Sequence, residues 1–331
     1  MICGPTNRQH RRCERPSAPA CPGHLRRGVT LRCPRLRGRS AQAIRALGTA
    51  GAAMDDVGHQ CVMRLKRDRV IAPTEAERRL LARTVLTVGR DFPIVAFRFG
   101  DTHGHMAVAA DEVVAAECAR RIESGLKQRL KLPVPFARVE ITPIRDVWHM
   151  KNVVRYTFTQ DEHHGFRNDP LHEASSLPDA LGWRAIDTPI AFKLKEQQPR
   201  LRRGDLLQMV RMADPNVPAL WDGDWLDAVA AAICRTDGSG KHRDALAARS
   251  AIVQLAIDSF SPAEIRDRLE VSARAYGRLL EITPPAAMKR AVRQQLVLRS
   301  PTFVRTAPEA KEPKATDAAG LAADERRFVE P

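Results

Sequence analysis

Ile94-Val95-Ala96-Phe97-Arg98-Phe99, Gly100-Asp101-Thr102 and His103-Gly104-His105-Met106-Ala107-Val108-Ala109 follow one another in the stretch that decides the fold. Two apolar runs joined by a short polar link that begins with Gly predict an antiparallel strand pair. Side chains alternate sides along a strand, so His103 and His105, two residues apart, share one face.

On the N-terminal side, His59 to Lys66 alternates enough to be a half-buried strand. Pro73-Thr74-Glu75-Ala76-Glu77 then opens a helix, with Thr74 as N-cap and Glu77 as its capping-box partner. On the C-terminal side, Asp111 caps a helix whose apolar residues Val113, Val114, Cys118, Ile122 and Leu126 recur at helical spacing. Pro133 and Pro135 end it, Phe136 to Ile144 reads as a fourth strand, and Trp148 to Asp161 reads as a third helix. The order is that of an α+β, ferredoxin-like β-α-β-β-α-β-α domain near residues 54–190. Helices on one face of such a sheet would leave its other face open to a ligand.

Residues 161–200 read as loop-rich, with Gly165, Pro170, Pro178 and Gly182. An all-helical C-terminal domain is expected over 200–300, with helices at Leu206 to Met212, Trp225 to Cys234 and Arg243 to Phe260. Asp237-Gly238-Ser239-Gly240-Lys241 lacks the first Gly of a phosphate loop and has His242 where Ser or Thr should follow Lys, so it reads as a turn. Ser261-Pro262-Ala263-Glu264 is a capping box with Pro at the first helical position. Ser272 caps a second short helix, so residues 261–281 read as a helix-turn-helix that exposes Arg274 and Arg278. An ordinary helical hairpin has the same pattern. Residues 301–331, rich in Ala, Pro, Glu and Lys, read as a disordered tail.

The net charge of +15 looks like a nucleic-acid signature until it is placed along the chain. Residues 1–53 hold eleven Arg, no Lys and one acid, Glu14, which leaves +5 for residues 54–331. A mildly basic body is compatible with DNA binding without demanding it. The first 53 residues read as a basic, disordered leader or as sequence upstream of a start at Met54. The seven Cys form no C-x-x-C pair, and no run of eighteen apolar residues exists. A reduced, cytoplasmic protein with no membrane partner is therefore expected, nucleoid-associated if it acts on DNA.

The chemistry centres on few residues. One of the two Tyr, Tyr156, has Gln160 four residues on, so the two lie one above the other on one helix face. Packed across the strand that bears His103 and His105, that helix brings two ring nitrogens and an amide oxygen around a divalent cation beside a phenol. Such a set suits metal-assisted attack on a phosphodiester. Metal-dependent hydrolases on (β/α)₈ barrels also use His-x-His. That barrel needs about 250 residues of alternating strands and helices, which this chain does not have.

These residues resemble the IS200/IS605-like single-tyrosine transposases of the HUH class, and within them the group associated with repetitive extragenic palindromes. The likeness covers about His59 to Trp183, about a third of the chain. It rests on Gly100-Asp101-Thr102-His103-Gly104-His105-Met106, on Asn152-Val153-Val154-Arg155-Tyr156-Thr157-Phe158-Thr159-Gln160, and on Asp169-Pro170-Leu171-His172-Glu173-Ala174-Ser175-Ser176. The resemblance implies that His103, His105 and Gln160 hold Mg²⁺ or Mn²⁺. It also implies that Tyr156 attacks single-stranded or hairpin DNA to leave a 5′-phosphotyrosine, and that the protein works as a homodimer. Arg145, Lys151 and Arg155 add positive charge beside Tyr156 for the DNA backbone, and Trp148 and Phe158 are candidates for stacking on bases. Arg274 and Arg278 would meet duplex DNA.

Two departures stand out: Gly104 replaces the family's bulky apolar residue between the two His, and Gly-Asp-Thr replaces its Pro-Asn turn. A Gly inside a strand removes a core contact, which keeps open a second reading, a DNA-binding regulator on an inactive catalytic domain. A third reading, a small-molecule metallohydrolase, calls for a closed apolar pocket around His103.

Overall fold

The computed structural model describes residues 56–67, 69–163 and 169–306, with the backbone alone at 163 and 304–306. The leader 1–53, the tail from 307, and His164, Gly165 and Phe166 lie outside the described residues.

The sheet contains β1 (Gly58–Arg64), β2 (Ile94–Phe99), β3 (His103–Val108) and β4 (Glu140–Ile144), in the order β2-β3-β1-β4. Every neighbouring pair is antiparallel. α1 (Glu75–Val88) connects β1 to β2, and α2 (Glu112–Leu130) connects β3 to β4. Both begin where their caps predict. Thr74 Oγ1 accepts from Glu77 N at 3.2 Å while Thr74 N donates back to Glu77 at 3.0 Å, and Asp111 accepts from Val114 N at 2.9 Å. β4 is shorter than the apolar pattern suggests: of residues 136–139, Phe136 alone keeps a bridge, to Leu65.

One face of the sheet is dry. Cys61, Met63, Phe97, Phe99, Met106 and Val108 meet Leu81 and Val85 of α1 and Cys118, Ile122 and Leu126 of α2 in one buried cluster. Each Leu- or Phe-sized side chain so buried contributes roughly 1.5–3 kcal/mol by area.

The opposite face corrects the expectation of an open sheet. α3 (Val147–Phe158) lays Met150, Val153, Val154 and Phe158 over Val95, Ala96, Ala107 and Ile144. The chain after it adds Leu177, Leu181, Trp183, Leu194 and Leu206 to the same cluster. What stays uncovered on this face is the β1–β4 side, where Arg64, Glu140 and Thr142 are exposed.

Residues 161–200, expected to be loop-rich, hold most of α4 (Gln160–His163) and all of α5 (Leu177–Ala180) and α6 (Ile190–Gln197). Before α5, Ala174 to Ser176 runs along the free edge of β2. Phe99 N donates to Ala174 O at 2.9 Å, Ser176 N to Phe97 O at 2.9 Å, and Phe97 N to Ser176 Oγ at 2.9 Å. An edge strand otherwise offers these groups to any passing chain.

The rest is helical: α7 (Arg203–Met209), α8 (Trp225–Ala232), α9 (Arg243–Ala256), α10 (Pro262–Arg268), α11 (Ala273–Glu281), α12 (Ala286–Leu298) and α13 (Pro301–Thr306). α13 takes the first six residues that the sequence assigns to a disordered tail. The Asp237 segment is a turn, its carboxylate accepting from Ser239 N at 3.0 Å and Gly240 N at 3.1 Å. α10 and α11 form the expected pair of capped helices around a tight turn, with Glu270 at φ 52°. Ile265, Leu269, Tyr276 and Leu279 bury that pair against α9 and α12.

A buried ionic cluster ties the helices to the sheet half. Arg79 of α1 meets Glu173 at 3.1 Å and Asp227 of α8 at 2.5 Å. Arg184 meets Glu173 at 3.1 Å and Asp179 at 2.9 Å, and Arg299 pairs with both Glu173 and Asp227. Burial works to raise the Glu173 pKa, but the guanidiniums of Arg184, Arg299 and Arg79 outweigh it and hold the carboxyl below its ordinary value.

Candidate active site

β3 sets His103 and His105 on the face that carries α3, with ring centroids 5.0 Å apart. Tyr156 enters from α3 and its ring meets that of His105 edge to face, at 5.0 Å between centroids and 82° between planes. Gln160 places its amide nitrogen 3.0 Å from His103 Nε2. The structure thus brings all four predicted residues together.

Tyr156 and Gln160 do not share one helix, which corrects the sequence reading. α3 stops at Phe158, and Thr159 (φ −112°, ψ 22°) caps it, its N–H reaching Arg155 O and Tyr156 O. The Thr159 hydroxyl also donates to Arg155 O at 3.0 Å, a local bond that competes with the helical ladder. α4 starts afresh at Gln160, and the turn between them aims the amide at β3.

Each imidazole is held from behind. Thr102 Oγ1 lies 3.2 Å from His103 Nδ1, and Gln60 Nε2 of β1 lies 3.1 Å from His105 Nδ1. With Nδ1 engaged on both rings, Nε2 is the nitrogen either can offer to a cation, and such outer partners orient metal-binding His. Gln60 escapes sequence reading, because only the register Gln60↔Ala107 and Val62↔His105 brings it alongside.

Gln160 is 1% exposed, and its Oε1 is buried without a hydrogen-bond partner. A buried amide oxygen left unmatched costs about 1–3 kcal/mol, so a cation accepted there would relieve a real penalty. The two amide atoms are distinguished only by their hydrogen bonds, and exchanging them turns the oxygen towards His103. Among the described residues no group of three or more His, Cys, Asp and Glu is arranged to hold a metal. Two imidazoles and one amide form a neutral set, which suits a divalent cation that keeps water or phosphate oxygens in its other positions.

Arg98 is a second residue that periodicity does not reveal. It faces His105 across β2 and β3, is fully buried, pairs with Asp161, and donates to Asp169 O at 3.0 Å. It therefore anchors the residue after Gln160 to the sheet. His172 Nε2 donates to Phe99 O, 2.6 Å away, and burial together with the Arg98 charge pushes its pKa down to about 4. It is neutral at pH 7 and faces the backbone rather than the centre. Asp101 is exposed, its carbonyl accepting from Ile71 N at 2.7 Å.

Gly104 has a positive structural reason. A Cβ there would sit 2.3 Å from Phe99 Cδ1, because the Phe99 ring lies over the glycine on the dry face. The volume that a bulky residue between the His would fill is supplied from the neighbouring strand.

Arg145, Lys151 and Arg155 are exposed on α3 and at its entry, and Arg274 and Arg278 are exposed on α11. Trp148 is 71% exposed, whereas Phe158 is fully buried in the core under α3 and is unavailable for stacking. No helix among the described residues is long and apolar enough to cross a membrane.

No protein-family model matches this chain, and no curated protein does. Among solved structures, that of a REP-associated tyrosine transposase bound to a REP hairpin is similar at 17% identity and a TM-score of 0.32, over 41% of this chain and 86% of that one. At that score the likeness carries nothing about what this chain does.

Proposed function

We propose that this chain is a metal-dependent enzyme that nicks single-stranded DNA and transfers the strand through a 5′-phosphotyrosine, on a ferredoxin-like domain followed by DNA-binding helices. The observation that carries the reading is the meeting of His103, His105 and the buried Gln160 amide from β3 and α4 beside the Tyr156 ring. His103, His105 and Gln160 would hold Mg²⁺ or Mn²⁺. When bound, such a cation would supply Lewis-acid polarisation of the scissile phosphate and offset charge on the leaving 3′ oxygen.

The chain's own residues do the rest. Tyr156 Oη forms a bond to phosphorus and releases its proton to solvent, while the P–O3′ bond breaks and the departing oxygen takes up a proton. The phosphotyrosine keeps the phosphodiester energy, so another strand's 3′-OH can attack phosphorus, expel the phenol and reseal the DNA without ATP. A phenol, ordinarily near pKa about 10, needs a nearby cation for this. Arg145, Lys151 and Arg155 line the approach with positive charge and no acid between them except the N-cap Asp146. Arg274 and Arg278 on α11 would hold flanking duplex, and a homodimer completes the proposal.

Two alternatives lose support. The Phe99 ring over Gly104 removes the argument that the glycine loosens the site, and His103 is half-buried rather than enclosed by an apolar pocket. The test is incubation of a hairpin-bearing single-stranded oligonucleotide with the protein and Mn²⁺. A covalent adduct on a denaturing gel, lost beyond detection in Tyr156→Phe, is expected. Duplex binding without an adduct would favour the regulator and end the enzymatic reading.

A further inference from the structure

α3 has two working faces. Its inner face buries Met150, Val153, Val154 and Phe158, and its outer face exposes Trp148, Lys151, Asn152 and Arg155. Those four recur at the helical spacing of three and four residues, so they form one stripe along the helix. Tyr156 lies at the far end, on the border between the two faces. Eight residues separate Trp148 from Tyr156, a rise of about 12 Å along the axis.

The stripe has a definite chemistry. Trp148 is the most exposed aromatic ring among the described residues that also lies on the helix of Tyr156, at 71% exposed; Trp183 and Trp225 are buried and Trp221 is half-buried. Lys151 sets its ammonium 5.6 Å from the Trp148 ring centroid. One side of the indole is thus backed by a cation, and most of the ring is open to solvent. Cations that track a phosphate backbone, with an aromatic platform beside them, are the recurring design of single-strand binding surfaces.

We infer that Trp148 is a stacking site for one base of single-stranded DNA, a fixed and small number of nucleotides from the phosphate that Tyr156 attacks, with Lys151 and Arg155 holding the intervening backbone. The occupant is single-stranded DNA because the stripe carries positive charge and no acid, and because a nucleobase is the flat π surface that an indole backed by ammonium receives. The site sets which bond of a bound strand reaches Tyr156. This rests on the proposed nicking reading for its purpose, but not for its binding.

The test reads binding alone, without metal. A single-stranded oligonucleotide carrying an abasic site moved stepwise along its length is titrated into the full chain, followed by indole fluorescence and by anisotropy of a terminal dye. Quenching is expected in the wild type and absent in Trp148→Phe, which should keep most of the affinity. Trp148→Ala should weaken binding about tenfold, the usual worth of one stacked base. One abasic position should cost the wild type the same factor and cost Trp148→Ala nothing further. Trp148 is exposed, so neither substitution threatens folding. Unchanged affinity in Trp148→Ala, or an abasic penalty that persists in that variant, overturns the inference. So does a change of oligomeric state in sedimentation with affinity intact, which would make the face a protein interface. If the abasic effect appears but no Tyr156 adduct ever forms, the stacking site stands and the nicking reading falls.

Discussion

Two buried polar clusters in this protein are built to opposite rules. Around Glu173, the guanidiniums of Arg79, Arg184 and Arg299 interlock with three further carboxylates, Glu75, Asp179 and Asp227, and Glu173 alone receives all three guanidiniums. Around His103 the donor groups are two imidazoles and an amide, each imidazole Nδ1 is held by a neighbour, and the Gln160 oxygen is left without a match. The first cluster is nearly saturated, Arg184 Nε being its only buried nitrogen without a hydrogen bond among the described residues. Saturated ionic clusters fix the geometry of a fold, whereas an unmatched buried acceptor costs stability and persists where something else binds it.

The sharpest way to break the contrast is Glu173→Gln. It strips the shared carboxylate from three buried guanidiniums and should cost about 3–5 kcal/mol, read as a lower midpoint in urea unfolding. A loss under about 1 kcal/mol would mean that the cluster is decoration. Next in size is Gly104→Val, whose side chain must displace the Phe99 ring. Overpacking of this kind costs about 1–3 kcal/mol, and the same urea experiment on Gly104→Val with Phe99→Ala should show less loss than the two single changes added. Simple additivity would show that the ring and the glycine are not coupled.

Much of this was legible in the chain itself. Thr74 with Glu77, Asp111, and Ser261 with Glu264 mark helix starts through local chemistry, and they hold in the structure. The alternation through His103 and His105 fixes their shared face whatever else surrounds them. What escaped depends on contacts distant in sequence. Gln60 and Arg98 join the site through strand register, Ala174 to Ser176 covers β2 through backbone bonds that no side-chain pattern encodes, and Phe99 answers Gly104 from the next strand. The helix break at Thr159 is local but hidden, since helical spacing continues smoothly through it. The covered second face escaped because α5 and α6 are too short to show a period.

The smallest expected change in stability belongs to the site. Gln160→Met keeps the shape of the side chain and removes the unmatched oxygen, so the metal-free protein should stay within about 1 kcal/mol of the wild type. The most direct measurement is a Mn²⁺ titration of wild type and Gln160→Met, followed by the paramagnetic resonance signal of free Mn²⁺. The account predicts one bound ion in the wild type and at least about tenfold weaker binding in the variant, as expected for loss of a metal ligand. Equal binding by the two proteins, or none by the wild type, would contradict it.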